Sequence, residues 1–486
     1  LDVRANIKTL LTSLGSGLVD GVAYDTAWVS RLIPRYSQFS PALDWLRENQ
    51  HPDGSWGANF VHYHDRYLST LSAIVALCEV GETVQDQQRI RAGERILWHI
   101  VGHLSKDGDD TVGFPLLSMS LTNEANRMGL NVPQPAARFS KAYFKRVEAL
   151  INSPNRDWHS STITYSLEGL RDAITLSDDV FERNHSISVS PAATAAYLMK
   201  YHEPNALNYL EGVMAQQNNG SIAQLAPIDT FEVVWALSYL QAVESVTPDI
   251  PEVKALLERL WGHWSPVHGT SMSVYYQMPE IDDTLGSFSL LDWGGYPVNL
   301  DVFNYYESEE HFWCFVGETH PSISANIRLL SVLKHHQHEP RVRKWIEKIV
   351  HYLNVNDHNG SLWTDKWHAS PYYVTSLSIN ILAGLDDNLA VNRLNWILNT
   401  QNDDGGWGYS DSSTPEETSH CLRELILWHE NVAPIDKDVI KRAADYMYIH
   451  TDLNDLPPLW IGKTLYTPPN IVKASLLSAL YIYERL

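Results

Sequence analysis

The sequence of 486 residues is short of positive charge: 36 Lys and Arg stand against 58 Asp and Glu, a net charge of -22. No basic excess is available to displace counterions, so a nucleic-acid backbone is excluded as the partner. An anionic ligand would need a local basic patch or a divalent cation. Cysteine is nearly absent. Cys78, Cys314 and Cys421 stand far apart and suggest neither a disulfide framework nor a Cys-rich zinc site, so a cytoplasmic location is expected. No apolar run approaches the ~20 residues of a membrane span. The opening segment, LDVRANIKTLLTSLGSGLVDG, has the pattern of an amphipathic helix rather than of a signal peptide. Alternating strand patterns are few and short.

Hydrophobic residues make up 44% and charged residues 19%, which places the chain among globular proteins, with a length that suits two or three domains. FSPALDWLRENQ, IDTFEVVWALSYLQAV and NIVKASLLSALYIYERL all carry apolar residues at helical spacing. Clusters of Gly, Pro and Asn cut the chain into many short helices, and the expected fold class is all-α, built from stacked helical hairpins. Aromatics are abundant, with 17 Trp and 24 Tyr. Most should fill the core, and some can wall a pocket for an apolar or cationic species.

One pattern repeats. WLRENQHPDGSWG starts at Trp45 and WILNTQNDDGGWG at Trp396, with Gln, Asp, Gly and Trp at matching offsets. Weaker copies start at Tyr209 and Tyr352. Gly ends a helix, Trp stacks over the turn and Gln bonds the freed backbone groups, so Gln50, Trp56, Gln401 and Trp407 are expected to be structural staples. A second feature is YYQMPEIDDTLGSF, which sets Glu280, Asp282 and Asp283 just before an apolar helical stretch. Read alone, it is an acidic helix start favoured by the macrodipole.

The repeats resemble the Gln-Trp motifs of terpene cyclases that start by protonation. AYDTAWVSRL, HDRYLSTLSAIVAL, SLEGL, SPAATAAYLM, PIDTFEVVWAL and EIDDT resemble, in unchanged order, the successive blocks of class II diterpene cyclases. DKWHASPYY, PEETSHCL and PLWIGKTLY resemble bacterial members, halimadienyl and copalyl diphosphate synthases among them. The resemblance implies two α/α-barrel domains, β and γ, with γ inserted into β and no class I α domain. The β domain would comprise residues 1–37 plus 246–486, and γ residues 38–242. It also implies protonation of a terminal alkene of geranylgeranyl diphosphate, and cyclisation to a labdane, halimane or clerodane skeleton that keeps its diphosphate. A drimane-type cyclase on farnesyl diphosphate and a squalene-hopene-like cyclase are the alternatives.

By the same resemblance Asp282 is the proton donor and Asp283 its support. Glu280 stands where the family usually has Asp, and Asn326 is the expected orienter of the donor. Tyr165 and Gln224 replace the His and Asn of plant ent-copalyl synthases, which argues against that product and places both residues at the quench. Trp313, Phe315, Trp367, Tyr372, Tyr373 and Trp460 are candidate pocket walls. Asp107, Asp109 and Asp110 are candidate Mg2+ ligands, being hard oxygen donors, and Lys141, Lys145 and Arg146 are candidate diphosphate contacts. DDVFE, from Asp178, matches a class I metal motif only superficially. The expected partner is a small isoprenoid diphosphate, and a homodimer is compatible with the sequence.

Overall fold

The computed structural model describes residues 2–108, 110–151, 157–170, 174–318, 320–410, 412–450 and 456–486, without the side chains of 146 and 149–151. Helices dominate, and among the described residues the strands are four two-residue pieces that form two antiparallel pairs. The helices form where the apolar spacing predicts them. In Pro340–Val355, Val342, Trp345, Ile346, Ile349, Tyr352 and Leu353 point inward along one stripe. Tyr63–Val80 and Ile281–Trp293 are buried almost all round. No described helix is long and apolar enough to cross a membrane.

The helices make two α/α barrels. Helix Ala23–Ser30 packs on Ser40–Glu48, Tyr63–Val80 and Pro191–Leu198, the helices of the inserted barrel. Helix Asp229–Leu240 packs on Ile281–Trp293 and Pro469–Arg485, in the other barrel. Both helices are buried on nearly every face, so periodicity alone does not say which neighbours they choose. At the seam, Gly21–Val22 pairs with Ile222–Ala223, and Trp460–Ile461 pairs with Leu465–Tyr466.

The two staples are near copies. Trp56 Nε1 donates to Leu46 O at 2.7 Å and Trp407 Nε1 to Ile397 O at 2.9 Å. Gln50 Nε2 donates to Gly54 O and, across the helix gap, to Arg89 O; Gln401 Nε2 does the same to Gly405 O and Val439 O. Each indole thus caps a carbonyl at a helix end, and each amide ties the turn to a neighbouring helix. Gly54 and Gly405 have φ of 96° and 91°, the left-handed region that a Cβ disfavours.

One helix crossing positions the site. A Cβ at Gly286, in Ile281–Trp293, would overlap the Val234 side chain of Asp229–Leu240 and lie 3.4 Å from Arg328 Nη2. The missing side chain lets the helix that carries the acidic cluster lie directly against the helix that carries Trp235.

Candidate active site

A cavity of about 860 Å³, counted to its mouth, opens at the seam of the barrels. The inserted barrel contributes Val112, Thr162 and Tyr165. The other barrel supplies Glu280, Asp282 and Asp283 on one side and Trp235, Tyr373 and Trp460 on the other. Apolar and aromatic walls with a few convergent carboxyls are what a small-molecule site requires.

Glu280 is the N-cap of helix Ile281–Trp293, and its carboxylate accepts the N–H groups of Asp282 at 2.9 Å and Asp283 at 2.5 Å. The first residue of the motif is therefore both a helix cap and a source of negative charge. Asp282 and Asp283 follow in the first turn, both buried. Burial and the Glu280 charge push Asp282 from 3.8 up to about 7. A shift of that size is about 4 kcal/mol. It exceeds the ~0.3–1 kcal/mol by which a helix N-terminus favours an anion, so burial and like charge win and the proton is held. Burial and Glu280 push Asp283 well above the usual carboxylate range, and neither of its oxygens has a hydrogen-bond partner among the described residues.

Asp282 differs from Asp283 in its direct contact with a cation. Arg328 Nη1 lies 3.5 Å from Asp282 Oδ1, and the same guanidinium sits over the Trp235 ring, 3.5 Å from its centroid. Arg328 stabilises the conjugate base of Asp282 and makes it the stronger acid of the two. Sequence reasoning missed Arg328. Its only local signal is a cation inside the apolar stretch SANIRLL. Cys314 adds a weak donor: its thiol lies 3.3 Å from Glu280 Oε2 and 3.5 Å from Asp282 Oδ2.

Asn326 does not hold Asp282. Its Nδ2 donates to Phe312 O and Ser322 O, both at 2.9 Å, and its Oδ1 accepts Phe312 N–H at 3.0 Å. Those bonds fix the loop that delivers Cys314, so Asn326 supports the cluster at one remove. Of the expected walls, Phe315, Trp367, Tyr373, Trp460 and Tyr165 line the cavity. Tyr372 turns away to stack on Trp396, and Trp313 is not among the lining residues. Gln224 is also outside the lining. Its Oε1 accepts the N–H groups of Lys463 and Thr464, at 3.0 and 3.3 Å, and faces the Tyr165 hydroxyl at 3.4 Å. Gln224 thus holds the 462–464 turn behind Tyr165. Burial pushes the Tyr165 phenol well up, so it is neutral. Phe231, Trp235, Tyr276 and Tyr466 complete the wall and were not singled out by sequence.

The acidic loop of the inserted barrel is not an open oxygen cage. Asp107 Oδ2 accepts the backbone N–H of His64 at 2.8 Å and faces the Nδ1 atoms of His64 and His62 at 2.8 and 3.3 Å. Asp110 is exposed and meets His64 Nε2 at 3.2 Å and Arg138 at 3.4 Å. Two imidazoles among the donors do not fit a Mg2+ ion, which takes oxygen ligands. Asp109 and the Arg146 side chain lie outside the described residues. Lys141 and Lys145 are exposed on helix Ala137–Ile151. In DDVFE, Asp178 accepts the Tyr197 hydroxyl and Glu182 binds Gln277, so the motif is spent on packing.

Residues 318–423 match the family of the squalene-hopene cyclase C-terminal domain. The chain is 32% identical to a type B diterpene cyclase of Mycobacterium tuberculosis, over 98% of both chains. It is 34% identical to a (13E)-labda-7,13-dien-15-ol synthase of Selaginella moellendorffii, over 77% of this chain and 51% of that one. Among solved structures, the ent-copalyl diphosphate synthase from Streptomyces platensis superposes with a TM-score of 0.83 at 27% identity, covering 99% of each chain.

Proposed function

The chain belongs to the class II diterpene cyclases, and from that premise we propose that it cyclises geranylgeranyl diphosphate by protonating the terminal alkene, with the diphosphate retained. The observation that carries this reading is a proton-holding carboxyl, Asp282, aimed into an aromatic cavity and backed by a cation. The alkene π pair takes the Asp282 proton and forms a C–H bond. The electrons left on the carboxylate are stabilised by Arg328. The next double bonds attack the cation in turn and close the rings. A final proton leaves, so that substrate and bicyclic product are isomers. Aromatic faces stabilise each cation without attacking it, and the walls keep water from an early capture.

Mg2+ belongs to this proposal as the counter-ion of the diphosphate, with no step routed through it. Arg138, Lys141 and Lys145, on one helix beside Asp110, are the proposed diphosphate contacts. The test is incubation with Mg2+ and geranylgeranyl or farnesyl diphosphate, then phosphatase treatment and identification by mass spectrometry and NMR. A cyclised C20 alcohol that appears only after phosphatase treatment supports the reading. Release of a hydrocarbon without phosphatase would overturn it.

A further inference from the structure

Behind the aromatic wall, on the side away from the cavity, lies a second buried carboxylate that the chemistry above does not use. Glu416 opens helix Pro415–Asn431 and is 1% exposed. Its Oε1 accepts the indole N–H of Trp460 at 2.8 Å and faces the Nε2 atoms of His368 and His420 at 3.4 and 3.9 Å. Its Oε2 has no partner among the described residues. The rings it touches belong to the wall or stand behind it. Trp460 packs edge-on against Trp235 and Phe231, with centroids 5.4 and 5.5 Å apart, and His368 stacks on Tyr373 at 4.7 Å.

Two imidazoles and a carboxylate whose donor atoms lie within 4.8 Å of one another also have the composition of a metal site. The hydrogen bonds speak against one. His368 Nδ1 faces both the N–H and the carbonyl of Ser370, at 3.1 and 3.3 Å, and its Nε2 faces Glu416. Trp460 already donates its indole N–H to the same carboxylate oxygen. Burial opposes the charge of the Glu416 carboxyl, but the His368 hydrogen bond and the nearby His420 ring hold it down at about 2. Burial also lowers His420, which keeps that ring neutral. Glu416 is thus a buried carboxylate one ring-width from the cavity.

We propose that Glu416 is an electrostatic positioning residue: its fixed negative charge, seated on the Trp460 indole nitrogen, stabilises the carbocation inside the cavity and biases where the cation rests before it is quenched. The indole N–H···carboxylate bond sets the negative charge at the positive edge of the ring and makes its π face richer in electrons. Glu416 and Trp460 are both buried, so the charge acts through the ring with reduced screening. This role rests on the cyclisation proposed above.

The test compares wild type with Glu416→Gln, which keeps an acceptor for the indole but removes the charge, and Glu416→Asp, which keeps the charge. Two diphosphate ligands are titrated by calorimetry: a geranylgeranyl diphosphate analogue with a protonated amine in place of a cation-bearing carbon, and its neutral all-carbon counterpart. Glu416→Gln should weaken the ammonium ligand at least ~10-fold while the neutral ligand binds as before, and Glu416→Asp should recover most of the difference. The product of Glu416→Gln should also shift towards early-quenched species. An equal loss for both ligands means that Glu416 only supports packing, and an unchanged ratio with an unchanged product profile overturns the proposal. Failure of the wild type to cyclise geranylgeranyl diphosphate would instead refute the underlying activity. Should Glu416→Gln not fold, Trp460→Phe removes the donor and keeps a ring. A preserved ammonium preference in that variant would also overturn the role assigned to the indole.

Discussion

Asp282 and Glu416 are both buried carboxyls in the first turn of a helix, on opposite sides of one aromatic wall, yet they hold opposite protonation states. Asp282 is raised to about 7, and Glu416 is lowered to about 2. Burial pushes both upward, so burial does not decide the outcome. The neighbours do. Asp282 looks at Glu280, a like charge, and its cation stands 3.5 Å off. Glu416 looks at two imidazoles and an indole N–H. The same residue chemistry at the same kind of helix position becomes a proton donor or a permanent anion according to whether it faces acceptors or donors.

The sharpest way to break this contrast is to remove the proton. Asp282→Asn should reduce cyclisation by ~10³-fold or more, with the far-ultraviolet circular dichroism unchanged. Turnover near that of wild type would move the acid elsewhere. Arg328→Met should come next. Without the cation the Asp282 carboxyl holds its proton more tightly and donates it less readily, so kcat should fall by ~10–100-fold. The pH at which activity fails should rise above about 7, and a fall of that limb would reverse the assigned role.

The pH dependence of stability separates the two carboxyls. The folded-state pKa of Asp282 is raised, so its contribution is complete below about pH 4 and is lost as pH rises towards 7. That of Glu416 is depressed, so its contribution is present above about pH 4.5 and is lost as pH falls towards 2. Urea denaturation at about pH 2.5, 4.5 and 7 should show a smaller loss on the alkaline side for Asp282→Asn than for wild type. Glu416→Gln should flatten only the acid side. If both variants changed the same limb, the contrast would be wrong. The smallest effect is expected at the far end of the cavity. Tyr165→Phe removes one hydrogen bond, worth ~0.5–1.5 kcal/mol net, so the rate should hold within roughly tenfold while the product mixture changes on gas chromatography.

What could be read from the sequence follows the range of each interaction. The Gln-Trp staples were legible because their partners lie within about ten residues or one neighbouring helix, as with Trp56 and Leu46. The acidic cluster was legible as three carboxyls within four positions at a helix start, and Glu280 is the cap of that helix. Arg328 was not legible, because its meeting with Asp282 depends on how two helices cross. Asn326 spends its hydrogen bonds on Phe312 and Ser322, a pairing that has no sequence signature. The ties of Asp107 to His62 and His64, more than forty positions away, turned an expected metal loop into a carboxylate–imidazole cluster for the same reason.

Gly286 links these parts. A methyl group there would press on Val234, and so on the helix that carries Trp235, and it would reach contact with the guanidinium of Arg328. One hydrogen atom, a turn away from the proton donor, therefore sets the clearance between donor and wall beside the counter-cation. Gly286→Ala would act as a wedge between acid strength and aim, and this position is the place from which the site could be retuned without touching any residue that meets the substrate.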